Sequence, residues 1–144
     1  MKIKIIEARS LEEIQEVFQI RIEVFVNEQK CLPSEEFDEL DALAKHYLLR
    51  VDGKSAATGR FRKTDKGIKI ERIATLRSFR GYKLATKIIN HILSVAKHMF
   101  PEVNYFYLHS QQTVMPLYAS IGFTPFGETF IEADIIHQAM ELKI

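Results

Sequence analysis

A strand pattern that runs directly into a basic turn and a long helix constrains the fold of this chain most. Residues 68–75 alternate between the two faces of a predicted strand, and residues 81–99 carry an apolar stripe at helical spacing. Arg80 and Gly81 stand at the junction. Because a helix start leaves N–H groups unpaired and carries partial positive charge, this junction predicts an anion site suited to a pyrophosphate. A plain turn with a solvated arginine is the alternative.

The rest of the pattern predicts an α/β fold in one domain over residues 1–144, with a mixed, mostly antiparallel sheet flanked by helices. An alternating stretch within residues 3–8 predicts a first strand, and Ser10 with Glu13 has the spacing of a capping box that opens a helix. Further strands are expected at 46–51, 55–62, 105–108, 124–131 and 137–142, with a short helix at 114–120 ending at Gly122.

The strand at 68–75 has two expected faces. One face carries Ile68, Ile70, Arg72 and Ala74, and the other carries Lys69, Glu71, Ile73 and Thr75.

Composition excludes several classes of protein. The 20 Lys and Arg residues nearly balance the 19 Asp and Glu residues, which argues against a nucleic-acid binder driven by counterion release. Cys31 is the single cysteine, so no internal disulfide forms. The N-terminus lacks a signal-peptide pattern, and no apolar run reaches transmembrane length. We expect a cytoplasmic protein that binds neither nucleic acid nor membrane.

The junction segment resembles the coenzyme A loop of the GNAT acetyltransferase superfamily, Arg/Gln-x-x-Gly-x-Gly/Ala. In residues 80–85, Arg80 matches the first position and Ala85 the last, whereas Lys83 replaces the middle glycine. Lys83 either restricts the approach of a pyrophosphate or points outward and adds charge. Gly81, after the arginine, is also common in that family.

A second segment, residues 111–123, resembles the GNAT pattern Asn-x-x-Ala-x-x-x-Tyr-x-x-x-Gly-Phe. Tyr118, Gly122 and Phe123 match it, whereas Gln111 and Val114 replace the usual Asn and Ala. A narrower similarity to the ElaA-like branch covers nearly the whole chain. It rests on residues 21–29, Cys31, Asp38, Asp41, His46, 80–83, Ile136, His137 and Met140.

The resemblance implies a GNAT-like fold and an N-acetyltransferase that moves an acetyl group from acetyl-CoA directly to a primary amine of a small molecule or a protein. It implies cofactor contacts along the strand end, the loop and the second motif. These are Ile73, Ala74, Thr75, Arg80, Gly81, Tyr82, Lys83, Leu84, Ala85, Thr86, Gln111 and Tyr118.

Candidate catalytic residues follow from the chemistry of that transfer. A phenol at Tyr118 can protonate the departing thiolate, although an isolated tyrosine is otherwise core packing. The acceptor ammonium must lose a proton, and Glu71, Glu28 and His137 are candidate bases or acceptor ligands, with His109 as a weaker one. Each of these side chains also has an ordinary explanation as a solvated or capping group.

Other functions remain open on the sequence. The alternatives are an acyltransferase with another acyl-CoA or an alcohol acceptor, a GNAT-like module that senses acetyl-CoA without turnover, and a structural interaction domain.

Cys31 lacks an activating partner, so an acetyl-enzyme is not expected. The histidines are scattered, and we expect no metal. The acidic residues within 35–41 either attract a cationic amine or form a solvated charge run. A monomer and a homodimer are both compatible with the sequence.

Overall fold

One mixed sheet of eight strands forms the centre of the molecule, which a computed structural model describes over residues 1–144. The strands are β1 (Ile3–Glu7), β2 (Lys45–Val51), β3 (Lys54–Lys63), β4 (Ile68–Thr75), β5 (Tyr105–Gln111), β6 (Thr124–Pro125), β7 (Phe130–Glu132) and β8 (Ile135–Lys143). Their order is β1-β2-β3-β4-β5-β8-β6, and β7 pairs with β8. Only β4 and β5 pair in parallel, so the sheet is mixed and mostly antiparallel, as expected.

Four α-helices flank the sheet, namely α1 (Leu11–Arg21), α2 (Pro33–Glu36), α3 (Leu84–Met99) and α4 (Met115–Ile121). A π-helix over Ile22–Glu28 continues α1. The capping box is confirmed, since the Ser10 hydroxyl accepts from the Glu13 N–H at 3.1 Å and the Glu13 carboxylate accepts from the Ser10 N–H at 3.0 Å. Gly122 caps α4 with a φ of 117°, also as predicted. No helix is long and apolar enough to span a bilayer.

The two faces of the sheet bury two separate apolar clusters. Helix α3 packs its apolar stripe on one face, where Ile88 and Ile92 are fully buried against Phe61 and Phe106. Helix α1 covers part of the other face, where Val17 lies in a smaller cluster with Leu48 and Ala74. Each buried side chain of this size contributes about 1.5–3 kcal/mol. On this second face α1 packs against β2, β3 and β4, which leaves β5 and β8 available for a polar site.

A β-bulge in β4 overturns the predicted alternation of its side chains. Thr58 pairs with Ala74, but Arg60 pairs with Glu71, so the bulge gives β4 an extra residue relative to β3. Arg72 lies within it at a φ of 58°. Because an extra residue reverses which face each later side chain occupies, the prediction that residues 68, 70, 72 and 74 share one face is wrong. Ile70 and Ile73 both face α3, whereas Ala74 faces α1.

Two predicted elements have different limits. The long helix begins at Leu84 rather than at residue 81, because Lys83 has a left-handed backbone conformation with a φ of 58°. The predicted strand at 124–131 is two short strands, β6 and β7, because Pro125 has no N–H to donate and Gly127 turns the chain at a φ of 71°. The Gln138 side chain instead donates to the carbonyl oxygens of Phe126 and Gly127.

Candidate functional site

A gap between the two parallel strands forms the most distinctive opening in the sheet. Hydrogen-bonded pairing of β4 with β5 spans only Ile68–Ile70 and Phe106–Leu108. Beyond this stretch β4 continues through the bulge to Thr75, and β5 continues to Gln111. The two strands are not paired with each other there. A cavity of about 410 Å³ adjoins the gap. Its walls include Ile73, His109, Gln111, Tyr118 and His137.

The loop that follows β4 presents a row of unpaired donors. The backbone N–H groups of Gly81 through Thr86 donate to no atom of the protein. Gly81 and Lys83 both have left-handed φ angles, 92° and 58°. Successive N–H groups in such a turn form a concave anion site, and the start of α3 adds its partial positive charge. The exposed Lys83 adopts the left-handed conformation that glycine favours. The loop therefore accommodates a lysine at the position where the GNAT pattern has its middle glycine.

Arg80 is held in place by the π-helix. Its guanidinium donates to the Glu28 carboxylate at 3.0 and 2.9 Å and to the Thr75 carbonyl at 3.0 Å. Arg77 reaches the same carboxylate at 3.3 Å. The hydrogen bond from Arg80 is the main reason why the pKa of Glu28 lies below its ordinary value. A carboxylate of low pKa is a weak base, so the geometry gives Glu28 the role of positioning Arg80.

Tyr118 lies at the wall of the cavity with its ring packed edge-on against Phe123, at 6.1 Å between centroids. The residue is buried, and burial alone raises the pKa of its phenol well above the ordinary value. A phenol with this pKa stays protonated throughout the neutral range. The arrangement therefore provides a proton donor without a protein partner at the cavity wall.

Glu71 is tightly paired, which counts against its use as a base. Its carboxylate contacts Arg60 at 3.2 Å, Arg62 at 2.7 Å and Lys69 at 3.3 Å. Burial raises its pKa, but the hydrogen bond from Arg62 and the charges of Arg60 and Lys69 outweigh burial, so the pKa lies below the ordinary value. The bulge also puts Glu71 and Thr75 on opposite faces of β4, since Arg60 pairs with Glu71 and Ala57 pairs with Thr75.

Most carboxylates of the acidic segment are paired with arginines rather than solvated, and Glu35, Glu36 and Asp38 line the cavity. Arg21, whose side chain is 1% exposed, binds Glu36 and Asp41 at 2.7 Å each. Arg60, also 1% exposed, binds Asp38 at 3.2 Å and shares Asp41. We call these five residues the buried ion network. It fixes the segment between α2 and β2 against the sheet beside the cavity, while Glu35 and Glu39 remain exposed.

Two histidines meet a carboxylate on the far wall of the cavity. The Nδ1 of His137 is 2.7 Å from the Ile135 carbonyl oxygen, and its Nε2 is 3.8 Å from Glu132 Oε2. His109 Nδ1 is 3.6 Å from Glu132 Oε1. Because a carbonyl oxygen only accepts, Nδ1 of His137 carries a proton, and in the neutral ring the lone pair lies on Nε2. His137 thus has a free basic nitrogen beside the cavity.

The sequence patterns do not point to Glu132 as a site residue. It lies one residue beyond the predicted strand at 124–131, and the tight turn at Ala133 and Asp134 that folds it back lacks glycine. Both turn residues have left-handed φ angles, 51° and 61°. An Asp residue can indicate a tight hairpin turn of this kind, but it does so less strongly than the pair Asn-Gly.

The remaining predicted site residues lie where the gap and loop meet. Gln111 ends β5 and donates to the Gln29 side chain at 2.7 Å, so it ties that strand to the end of the π-helix. The side chains of Ala74 and Leu84 are buried in the two apolar clusters and do not line the cavity. Cys31 also lines the cavity. Burial and then Glu36 and Glu35 raise the pKa of its thiol, so it is a poor nucleophile.

Comparison of the sequence and the structure with known proteins identifies the family of this chain. Residues 10–144 match the model of the acetyltransferase (GNAT) domain. The chain is 31% identical to the uncharacterized N-acetyltransferase YjcF of Bacillus subtilis over 95% of this chain and 97% of that protein. The crystal structure of an acyl-CoA N-acyltransferase from Pseudomonas aeruginosa is similar at a TM-score of 0.85 and 28% identity, covering 99% of each chain.

Escherichia coli ElaA is similar to the same extent, with a TM-score of 0.85, 26% identity and 99% of each chain covered. The resemblance inferred from residues 80–85 and 111–123 is confirmed by these matches, and so is the expected fold. The chain belongs to the GNAT acetyltransferase family.

Proposed function

We propose that this protein transfers an acetyl group from acetyl-CoA directly to the nitrogen of a primary amine on a small molecule or a protein. The observation that carries the proposal is the row of unpaired N–H groups at residues 81–86 beside the gap between β4 and β5. A pyrophosphate on that row leaves the pantetheine arm to enter the gap along Ile73, Ala74 and Thr75. Gln111 and Tyr118 then lie beside the arm and the thioester.

The proposed chemistry uses Tyr118 as acid and His137 as base. The acceptor ammonium gives one proton to His137 Nε2, and the free amine attacks the thioester carbonyl carbon. The carbon–sulfur bond breaks as the sulfur takes the phenol proton of Tyr118. The second proton of the nitrogen restores the phenol through solvent, so amide, free CoA thiol and one proton are the products. Holding both substrates in one cavity supplies much of the acceleration.

Release of free CoA thiol across a panel of primary amines and alcohols tests the proposal. We expect thiol release with at least one amine, together with a product 42 mass units heavier than the acceptor, roughly the mass of one acetyl group replacing hydrogen. Thermal stabilisation by acetyl-CoA without thiol release from any acceptor would instead establish a sensor. Release with alcohols alone would establish an O-acyltransferase. Neither stabilisation nor release would leave only a structural role.

Arg80→Glu is expected to weaken acetyl-CoA binding about 10- to 100-fold, because it removes a charge-assisted donor and adds a negative charge beside the pyrophosphate. The loss also releases Glu28 from its bonds to Arg80. Isothermal calorimetry with acetyl-CoA measures the change. Lys54→Glu, which makes the same charge reversal at the exposed first residue of β3, is the control and should bind normally. Unchanged affinity in Arg80→Glu would refute the placement of the pyrophosphate.

Cys31→Ala is expected to keep most of the turnover, because a thiol whose pKa is raised by burial and by Glu36 does not form an acetyl-enzyme readily. Steady-state thiol release at saturating substrates is the measurement. Mass spectrometry after incubation with acetyl-CoA alone should find no acetyl group on the Cys31 peptide. An acetylated peptide, or loss of turnover in a folded variant, would contradict direct transfer.

A further inference from the structure

The far wall of the cavity has two hydrogen-bond acceptors that face each other. Nε2 of His137 and Oε2 of Glu132 are 3.8 Å apart. When the His137 ring is neutral, it donates from Nδ1 to the Ile135 carbonyl, and neither of the facing atoms then carries a proton. An ammonium nitrogen, which has three donors and no acceptor, can lie about 2.8 Å from both atoms. This wall therefore favours a cationic amine.

The opposite wall, on β3 and β4, carries both signs of charge. Arg72 lines the cavity beside Glu36 and Asp38 and is paired with both. Glu35 lines this side of the cavity too. The remaining cations of the wall are Arg62 and Lys69.

Arg62 and Lys69 are direct cross-strand neighbours, and both contact the single carboxylate of Glu71. Arg60 contacts that carboxylate as well, but it is also paired with Asp38 and Asp41 in the buried ion network. Glu71 thus balances one of the two charges, Arg62 and Lys69, which both line the cavity.

The donors of this wall are incompletely used. Lys69 Nζ has one contact, to Glu71 at 3.3 Å, and its side chain is 15% exposed. Arg62 directs Nε and Nη2 at Glu71, which leaves Nη1 without a protein acceptor. A bound molecule that covered these donors without offering acceptors would leave them desolvated and unpaired, which is costly. A carboxylate or phosphate supplies the missing oxygens.

Both walls belong to the same face of the sheet. Lys69 pairs with Tyr107 on β5, His109 is two residues further along β5, and Gln111 pairs with His137 on β8. Side chains two residues apart on a strand, and those directly paired across strands, point to the same face. The hydrogen bond from His109 is the main reason why the pKa of Glu132 lies below its ordinary value. Burial opposes it, and the charges of His109, His137 and Lys69 lower the pKa further. One ligand can therefore contact both walls.

We propose that the acceptor is an amine that also carries an anionic group, with its ammonium between Glu132 and His137 and its carboxylate or phosphate on Lys69 and Arg62. This inference rests on the proposed N-acetyltransferase activity and adds the class of its acceptor. It gives Lys69 and Arg62 the role of selecting the substrate, outside the acetyl-transfer step itself.

Matched acceptors test the inference. Glycine, β-alanine and 4-aminobutanoate are each compared with the corresponding amide, and phosphoethanolamine is compared with ethanolamine, by thiol release. We expect at least one anionic acceptor to have a kcat/KM about 10- to 100-fold above its neutral partner, as charge-assisted hydrogen bonds predict. The carboxylate and phosphate series distinguish the two sources of charge.

Substitution of Lys69 connects the preference to this wall. Lys69→Gln should raise KM for the preferred anionic acceptor about tenfold or more and leave KM for acetyl-CoA unchanged, whereas Lys69→Arg should restore the preference. Lys54→Gln removes the same charge at an exposed site and is the control. Equal kcat/KM for neutral and anionic partners, or a preference that survives in Lys69→Gln, would overturn the inference. Absence of thiol release from every amine would instead refute the acetyltransferase proposal.

Discussion

Tyr118→Phe is expected to lower kcat about 100- to 10,000-fold, the range typical of general acid catalysis. The substitution removes one hydroxyl from the cavity wall and leaves the ring packed against Phe123. Because burial raises the pKa of this phenol, the wild-type residue is a protonated donor at every pH of an ordinary assay. Without it, CoA must leave as an unprotonated thiolate. Steady-state kinetics at saturating substrates measure kcat, and calorimetry should find acetyl-CoA affinity little changed.

Tyr47→Phe is the matched control for this experiment. Tyr47 is 1% exposed in the core, and its hydroxyl has no hydrogen-bond partner. The same hydroxyl is lost from a residue that does not line the cavity, so kcat should not change. If Tyr118→Phe kept nearly full turnover, water or another residue would protonate the sulfur, and Tyr118 would be a packed aromatic only.

Asp41→Asn is expected to lower the free energy of unfolding by about 3–5 kcal/mol, the usual cost of removing one partner from a buried ion pair. Asp41 accepts hydrogen bonds from both Arg21 and Arg60, whose side chains are 1% exposed. An amide at this position offers no charge and points N–H groups at guanidinium donors. Urea denaturation measures the change. Glu39→Gln, on an exposed residue of the same segment, should change stability little.

The effect of Asp41 should depend on pH. Burial raises its pKa, but the hydrogen bond and charge of Arg21 and the charge of Arg60 outweigh burial and keep the pKa below the ordinary value of 3.8. Its folded-state pKa is thus lower than its unfolded-state pKa. The stabilisation is fully present above about pH 4 and is lost as pH falls through the folded-state pKa. The difference between wild type and Asp41→Asn should shrink in acid. A difference that stayed constant below pH 4 would contradict this account.

The order of strands and helices could be predicted because local signals and periodicity agree. Three features act locally in the sequence: the capping box of Ser10 and Glu13 begins α1, Gly122 ends α4, and the apolar stripe of α3 fixes its buried side. The bulge at Arg72 could not be predicted, because Arg72 fits the alternating pattern and gives no local sign of a left-handed backbone. Its conformation follows from how β3 and β4 pair, which is a tertiary property.

The loop that we propose for the cofactor could be located from sequence, whereas most of the proposed acceptor side could not. Arg80 and Gly81 are local features of one junction. By contrast, His137 is a candidate from sequence, but Glu132 and Lys69 come from two other strands and meet it only through sheet order. Glu28 and Glu71 were reasonable candidate bases as isolated carboxylates. Their pKa values depend on Arg80 and on Arg62, partners that are 52 and 9 residues away in sequence.

The bulge at Arg72 shifts the alternation of side chains along β4 by one residue. Before it, odd-numbered residues such as Glu71 face the charged cavity; after it, the odd-numbered Ile73 faces the α3 core. A single-residue deletion at 72 would restore regular alternation and leave the other side chains on their present faces, with Ile73 still toward α3 and Ala74 toward α1. Deletion of Ile73 would instead put Arg72 in the register position that faces the α3 core. We therefore expect this strand to tolerate the loss of residue 72 better than the loss of Ile73.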